Sequence, residues 1–265
     1  MSDIDPVIEI QNLHKSFAGF VAVDDFSLSV SKGEIVALLG RTGAGKSTVL
    51  NLVMGTIAPD RGSIRVAGLD PFAQFRQLKG RIAVSFQTDR LLPWRTAIEN
   101  AELGLLILGL PKAEARARAR QWLARVNLRG AEDKYVHELS GGMRQRVSLA
   151  RALAVDPDIV FLDESFSQLD HATAKKLRTD FHSIAKEFQK TCLFVTHRIE
   201  DAIEIADRAI VLSPGAHIAL TERITPALRE DPDAVRECHS RVARVMGSDE
   251  DGEEETVSNR TLHAD

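Results

Sequence analysis

Two kinds of hydrophobic spacing divide this chain. Residues 7–13 and 21–30 alternate apolar and polar positions with period two, as half-buried strands do, and a turn at Ala18-Gly19 separates them. Residues 35–39 form a short, continuous apolar run near glycines, which predicts a strand buried on both faces. Helical spacing over residues 47–54 follows and stops at Gly55 and Pro59. Short strands are expected at residues 62–68 and 82–86. From Arg90 to about Asp156 the texture changes to Leu-, Ala-, Arg- and Glu-rich segments with 3.6-residue spacing, broken at Gly109-Leu110-Pro111 and at Gly130. That stretch predicts an insertion of a few helices, with Lys112–Arg125 in the middle presenting a basic, solvated face. Strands at residues 158–163, 191–196 and 208–212 then alternate with helices, Pro214-Gly215 closes this part, and residues 233–246 read as a helix. The fold class expected is α/β.

Composition narrows the reading. A chain of 265 residues with 44% hydrophobic and 27% charged residues can build a sizeable core and needs no special class. The net charge of −4 is uneven, since seven acidic residues and one arginine fall at positions 249–265 and leave the rest slightly positive. No strong basic bias exists for nucleic acid, so no nucleic-acid partner is expected. The division expected is a folded unit over residues 1–247 and an acidic, apolar-poor tail over 248–265 that does not fold alone. Cys192 and Cys238 have no metal-ligand spacing, and Cys192 lies within an apolar strand pattern, as an inert buried thiol would. The first residues lack the basic start and apolar core of a secretory signal, and residues 103–110, the most apolar stretch, are too short to span a bilayer; a cytoplasmic protein is expected.

Candidate chemistry begins at Gly40-Arg41-Thr42-Gly43-Ala44-Gly45-Lys46-Ser47, placed between a strand and a helix, the context in which a glycine-rich loop cradles phosphate. Glycines let backbone N–H groups turn inward around an anion, and the helix start adds its partial positive charge. Lys46 supplies a point charge to the outer phosphates, and the Ser47 hydroxyl suits magnesium. A lysine at a helix start is otherwise disfavoured by the dipole, which itself argues for an anionic partner. Asp163 and Glu164 end an apolar strand at the sheet edge where ligands bind in open α/β folds; Asp163 suits the metal and Glu164 the polarisation of a water. In Leu139-Ser140-Gly141-Gly142, Ser140 is a good helix N-cap, and two glycines inside the first turn are costly unless backbone approaches something closely. This predicts a second anion-binding helix start.

Taken in order, these stretches resemble the ATP-binding cassette family, the nucleotide-binding subunits of ABC transporters, over residues 7–215. Residues 139–146 look like its signature motif, Ser85-Phe86-Gln87 like its Q-loop, Val195-Thr196-His197 like its switch histidine, and Ser167-Gln168-Leu169-Asp170 like its D-loop. The resemblance implies a phosphate-loop core with an N-terminal antiparallel β subdomain and a helical subdomain inserted at about residues 88–156. It implies ATP and Mg2+ as cofactors, with Phe17 stacked on adenine, residues 40–46 around the phosphates, and Thr48 assisting there. Ser47, Gln87 and Asp163 would hold the metal, Glu164 would be the general base, and His197 would hold the γ-phosphate. Ser140, Gly141, Gly142 and Gln145 would act in trans across a head-to-tail dimer, with Asp170 in the D-loop. The partners implied are a second copy, integral membrane permease subunits and, indirectly, a solute-binding protein, at the inner face of the cell membrane. Residues 91–96 look like those of ATPase subunits of nitrate, sulfonate and taurine importers, with Trp94 as an anchor for a membrane partner or as packing between subdomains. Ser165 stands where the family has proline, Arg41 likewise, Gln168 where it has alanine and Arg198 where aspartate is common. A non-transport cassette ATPase acting on DNA or ribosomes is the alternative, although such proteins usually carry a long coiled coil or two cassettes; a nucleotide-regulated binding protein without turnover is a third reading.

Overall fold

Alternation at the start of the chain builds a hairpin, β1 (Pro6–Phe17) and β2 (Phe20–Ser31), paired antiparallel with Phe17 opposite Phe20. A third strand, β4 (Arg61–Val66), pairs with β1 on the other side and completes a three-stranded sheet. This is the computed structural model of the protein, which describes residues 6–247; the acidic tail expected at 248–265 lies outside the described residues.

The second sheet has six strands in the order β5 (Ile82–Ser85), β6 (Ile159–Asp163), β7 (Thr191–Thr196), β3 (Ile35–Gly40), β8 (Arg208–Ser213) and β9 (His217–Arg223). All neighbours run parallel except β8 and β9. Every residue of β3 is buried because the sheet is covered on both faces. Ile35, Ala37 and Leu39 face a core shared with the helices, whereas Val36 and Leu38 face a second core shared with the three-stranded sheet and helix α1 (Lys46–Val53). β9 was not expected from the sequence. It follows the Pro214-Gly215 turn as an exposed edge strand.

Between β5 and β6 stand four helices, α2 (Ala97–Ala101), α3 (Leu103–Ile107), α4 (Lys112–Arg125) and α5 (Gly141–Ala154). α4 has the predicted bounds, but its basic residues are not merely solvated: Arg116 and Arg118 lie within ion-pair distance of Glu102 and Asp156, at 3.9 and 3.5 Å. Regular structure begins only at Ala97, later than the helical texture that starts near Arg90. Asn100, fully buried, accepts from the Leu92 N–H at 2.8 Å and donates to the Leu92, Arg95 and Thr96 carbonyls, so the loop is pinned from inside and Trp94 stands 70% exposed. Trp94 therefore does not pack the subdomains together. After β6 come α6 (His171–Glu187), α7 (Ile199–Ile205), α8 (Pro226–Glu230) and α9 (Pro232–Gly247).

Both cysteines are buried, and burial pushes the Cys192 thiol up to about 12 and the Cys238 thiol upward as well. Since the thiolate is the nucleophile, the native protein at about pH 8 is expected to give no colour with a disulfide reagent, and both thiols to titrate only after unfolding. A fast native reaction would contradict the packing of β7 or α9.

Candidate functional site

The carboxyl ends of β3, β5, β6 and β7 meet at one edge of the parallel sheet, and each leads into expected groups. β3 runs through Gly40 into the glycine-rich loop and α1. Gly45, the N-cap of α1, has φ 90° with the left-handed conformation that glycine adopts freely, and a Cβ there would come within 2.4 Å of the Ala22 carbonyl. No side chain caps α1, so its first N–H groups, which have no partner inside the helix, are left for a ligand. Lys46 is buried and folds back to donate to the Gly40 and Arg41 carbonyls at 2.7 and 2.8 Å. Burial pulls its pKa down, opposed by Glu164 and Asp163. Arg41, Thr42, Gly43 and Ser47 line the exposed rim of the same turn, with Ala44 buried and Thr48 half-buried behind it.

Asp163 ends β6, and its carboxyl is pushed upward first by burial and then by the charge of Glu164. Glu164 itself sits at φ 45°, an uncommon conformation for a non-glycine residue, held by its N–H to the Val195 carbonyl at 3.0 Å. Ser165 is accounted for by its hydroxyl, which is buried and donates to the Ser85 carbonyl at 2.9 Å, tying β6 to β5. Two other expected groups converge on Glu164: Gln87 Nε2 lies 3.2 Å and His197 Nδ1 3.3 Å from the same carboxylate oxygen, Oε2. Gln87 also donates to Ser167 Oγ at 3.4 Å.

Phe17 stands half exposed at the tip of β1 with Lys15 Nζ 5.4 Å from its ring, and Phe20 across the hairpin is more exposed. Lys15 also pairs with Asp60, whose carboxyl is held down to about 2 by hydrogen bonds from Lys15 and the Ser16 N–H. Asp170 caps α6 by accepting from the Thr173 N–H at 3.0 Å, and hydrogen bonds from Thr173 hold its carboxyl low.

Ser140 caps α5 through the Met143 N–H, and Ser140 and Gly141 are exposed. Gly142 is explained within the chain: a Cβ there would lie 2.5 Å from Thr173 Cγ2 at the start of α6. Gln145, expected in the set acting in trans, is placed differently from Ser140 and Gly141. Its amide is buried and donates to the Phe86 carbonyl at 3.3 Å. Sequence reasoning also missed a buried network on either side of His197 in sequence. Arg178 donates to Asp201 at 2.8 Å and to Glu204 at 2.6 Å, Asp201 accepts from Thr196 Oγ1 at 2.7 Å, and Thr196 Oγ1 accepts from the Arg198 N–H at 3.0 Å. The only local signal was a buried-type arginine position on the apolar face of α6, which periodicity alone does not flag.

Whether these residues suit a triphosphate and a hard cation is a question of chemistry. A buried lysine ammonium, an uncapped helix start, the Ser47 and Thr48 hydroxyls and two adjacent carboxylates supply cationic and N–H donors for phosphate oxygens and oxygen ligands for magnesium. They fit.

A doubly covered parallel sheet whose edge gathers a phosphate loop, a carboxylate pair, a glutamine and a histidine defines a phosphate-loop nucleotide hydrolase. The family model described as ABC transporter matches residues 23–167. The taurine import ATP-binding protein TauB of Escherichia coli O157:H7 is 38% identical over 212 residues, covering 79% of this chain and 80% of that protein. The sulfate/thiosulfate import ATP-binding protein CysA of Thermosynechococcus vestitus is 42% identical over 208 residues, covering 78% of this chain and 62% of that protein. The dimeric ATP-binding cassette MJ0796, solved in a post-hydrolysis form bound to ADP and Pi, superposes with a TM-score of 0.73 at 30% identity over 82% of this chain and 99% of that one. The cbiO1 cassette from Clostridium perfringens gives a TM-score of 0.78 at 24% identity over 93% of this chain and 99% of that one, and speaks to the fold alone. The chain belongs to the ABC transporter family, as an ATPase that energises transport.

Proposed function

We propose that this protein is the ATPase subunit of an importer, working as a head-to-tail pair on the inner face of the cell membrane. The observation that carries the catalytic half is the convergence of Gln87 and His197 on one oxygen of Glu164. In this reading Mg2+–ATP supplies the scissile phosphoanhydride and a divalent charge when bound. Phe17 stacks the adenine, the N–H groups of residues 40–46 and Lys46 hold the phosphates, and Thr48 assists there. Ser47, Asp163 and Gln87 hold the cation. Glu164 takes a proton from the attacking water, and His197 orients the groups on the γ-phosphate side. Ser140, Gly141 and Gly142 close over the nucleotide of the second copy, with Asp170 placed near that junction; two-fold symmetry makes two such sites. The relatives named for taurine and sulfate/thiosulfate import favour a small oxyanion of sulfur as cargo. Such specificity would reside in the permease and an indirectly coupled solute-binding protein.

Docking to permease subunits is supported by an apolar cleft of about 780 Å³ lined by Met54, Phe75, Leu78, Val84 and Phe86, and by exposed Trp94 on the adjoining loop. Among the described residues no helix is long and apolar enough to cross a membrane, which accords with separate membrane subunits. The test is co-expression with candidate importer permease subunits and their binding protein. Wild-type protein is expected to co-purify with the permease and hydrolyse ATP faster when solute-loaded binding protein is added, while Trp94→Ala weakens co-purification. Co-purification with nucleic acid or ribosomes instead would favour the non-transport alternative.

A further inference from the structure

The segment around Gln87, residues 86–90, has no strand to pair with beyond β5, yet three of its carbonyls accept from side chains of one helix. Gln145 Nε2 reaches the Phe86 carbonyl at 3.3 Å, Arg151 Nη2 the Asp89 carbonyl and Arg151 Nη1 the Arg90 carbonyl, both at 2.8 Å. Buried or half-buried carbonyls need such partners, and these three are all met from α5, the helix capped by Ser140. Residues 144, 145, 148 and 151 share one face of that helix, and Ser148 Oγ in turn accepts from Arg151 Nη2 at 3.4 Å.

Arg144 adds the connection. Its Nε donates to Asp89 Oδ2 at 3.0 Å, and its Nη1 donates to the Leu139 carbonyl at 3.1 Å. Asp89 lies two residues beyond Gln87, and Leu139 immediately precedes Ser140. The other oxygen of Asp89 accepts from the Leu91 N–H at 3.1 Å, so the carboxylate is fixed to its own loop. One planar guanidinium thus bridges the loop that carries Gln87 and the turn that carries Ser140.

We propose that Arg144 and Asp89 are positioning residues that lock these two segments into one body, so that the placement of Gln87 beside the nucleotide of its own chain sets the orientation of the Ser140-Gly141-Gly142 turn presented to a second copy. The proposal rests on the roles given above to Gln87 and Ser140. Neither side chain touches the phosphate loop. The pair therefore acts on communication between sites and leaves the first binding event intact. A lysine at 144 keeps the charge but lacks the forked donors that make both bonds at once.

The test uses the full chain with Asp89→Ala, Arg144→Ala, the double variant, Arg144→Lys and the exchange Asp89→Arg with Arg144→Asp, alongside Glu164→Gln. The expected result is a fall in kcat of about tenfold in each single alanine variant, with a Hill coefficient for ATP dropping towards one and ADP affinity unchanged within about twofold. The double variant should be no slower than the singles, because both remove the same link, and the exchanged pair should stay as impaired as the singles, because an aspartate at 144 accepts but cannot donate to the Leu139 carbonyl. Arg144→Lys should behave like Arg144→Ala. Because both side chains are partly exposed, equal melting temperatures are expected and would separate this effect from unfolding. Alanine variants that retain wild-type cooperativity, or a double variant whose loss is the product of the singles, would overturn the link. Wild-type hydrolysis by Glu164→Gln with impaired link variants would instead overturn the assignment of Glu164 and leave the link supported.

Discussion

Exchanging Glu164 for glutamine is expected to lower ATP turnover by about 100- to 10,000-fold, the usual worth of a positioned general base. The side chain keeps its length and its place beside Gln87 and His197, but an amide takes no proton from water. Asp163, one residue earlier, is a poor substitute. Its carboxyl ends β6 and is given to the cation in the proposed mechanism, whereas Glu164 is the carboxylate on which Gln87 and His197 converge. Phosphate release by purified protein measures the first quantity and equilibrium binding of ATP the second, which should remain within about a factor of three because Glu164 contributes little to ground-state binding. A variant retaining more than about a tenth of the wild-type rate would remove Glu164 from the proton-transfer step.

The second large effect concerns stability. Arg178 and Asp201 are fully buried and bonded to each other, with Glu204 completing the arginine's partners. Truncating Arg178 to alanine leaves the Asp201 carboxylate buried with Thr196 and the more distant Arg198, a loss expected to cost about 3–5 kcal/mol. Urea unfolding of the two proteins at neutral pH measures it. The sign of the pH dependence follows from burial, which already raises the Asp201 pKa above that of an unfolded aspartate and would raise it further without Arg178. A raised carboxyl costs the native protein most when it is ionised, so the deficit of Arg178→Ala should be largest at neutral pH and shrink on acidification through the carboxylate range. A deficit below about 1 kcal/mol, or one that grows in acid, would show that the pair adds nothing to the fold.

Features written in contiguous residues were the legible ones. The run through Gly40 to Ser47 announces strand, turn and helix within a dozen positions, and α4 ends where Gly109, Pro111 and Gly130 say it should. Glu164, Gln87 and His197 were each readable as strand-end groups because a buried strand marks its own carboxyl terminus. The rest depended on what meets across the fold. β9 carries only weak alternation and sits at an exposed edge, so its apolar content is low. The loop before α2 falls within the stretch of helical texture that starts near Arg90, but its shape is set by Asn100 from one side and α5 from the other. Nothing near Gln145 in sequence discloses the Phe86 carbonyl to which its amide donates. For Gly142 the reason, Thr173, lies on another helix altogether.

The loop around Trp94 has a thermodynamic corollary. Asn100 already spends its amide on the backbone of residues 92–96, so the indole is held outward before any encounter. Association at that surface then loses little chain disorder, and the free energy released by burying the ring is available to complex lifetime instead of being consumed in stiffening the loop.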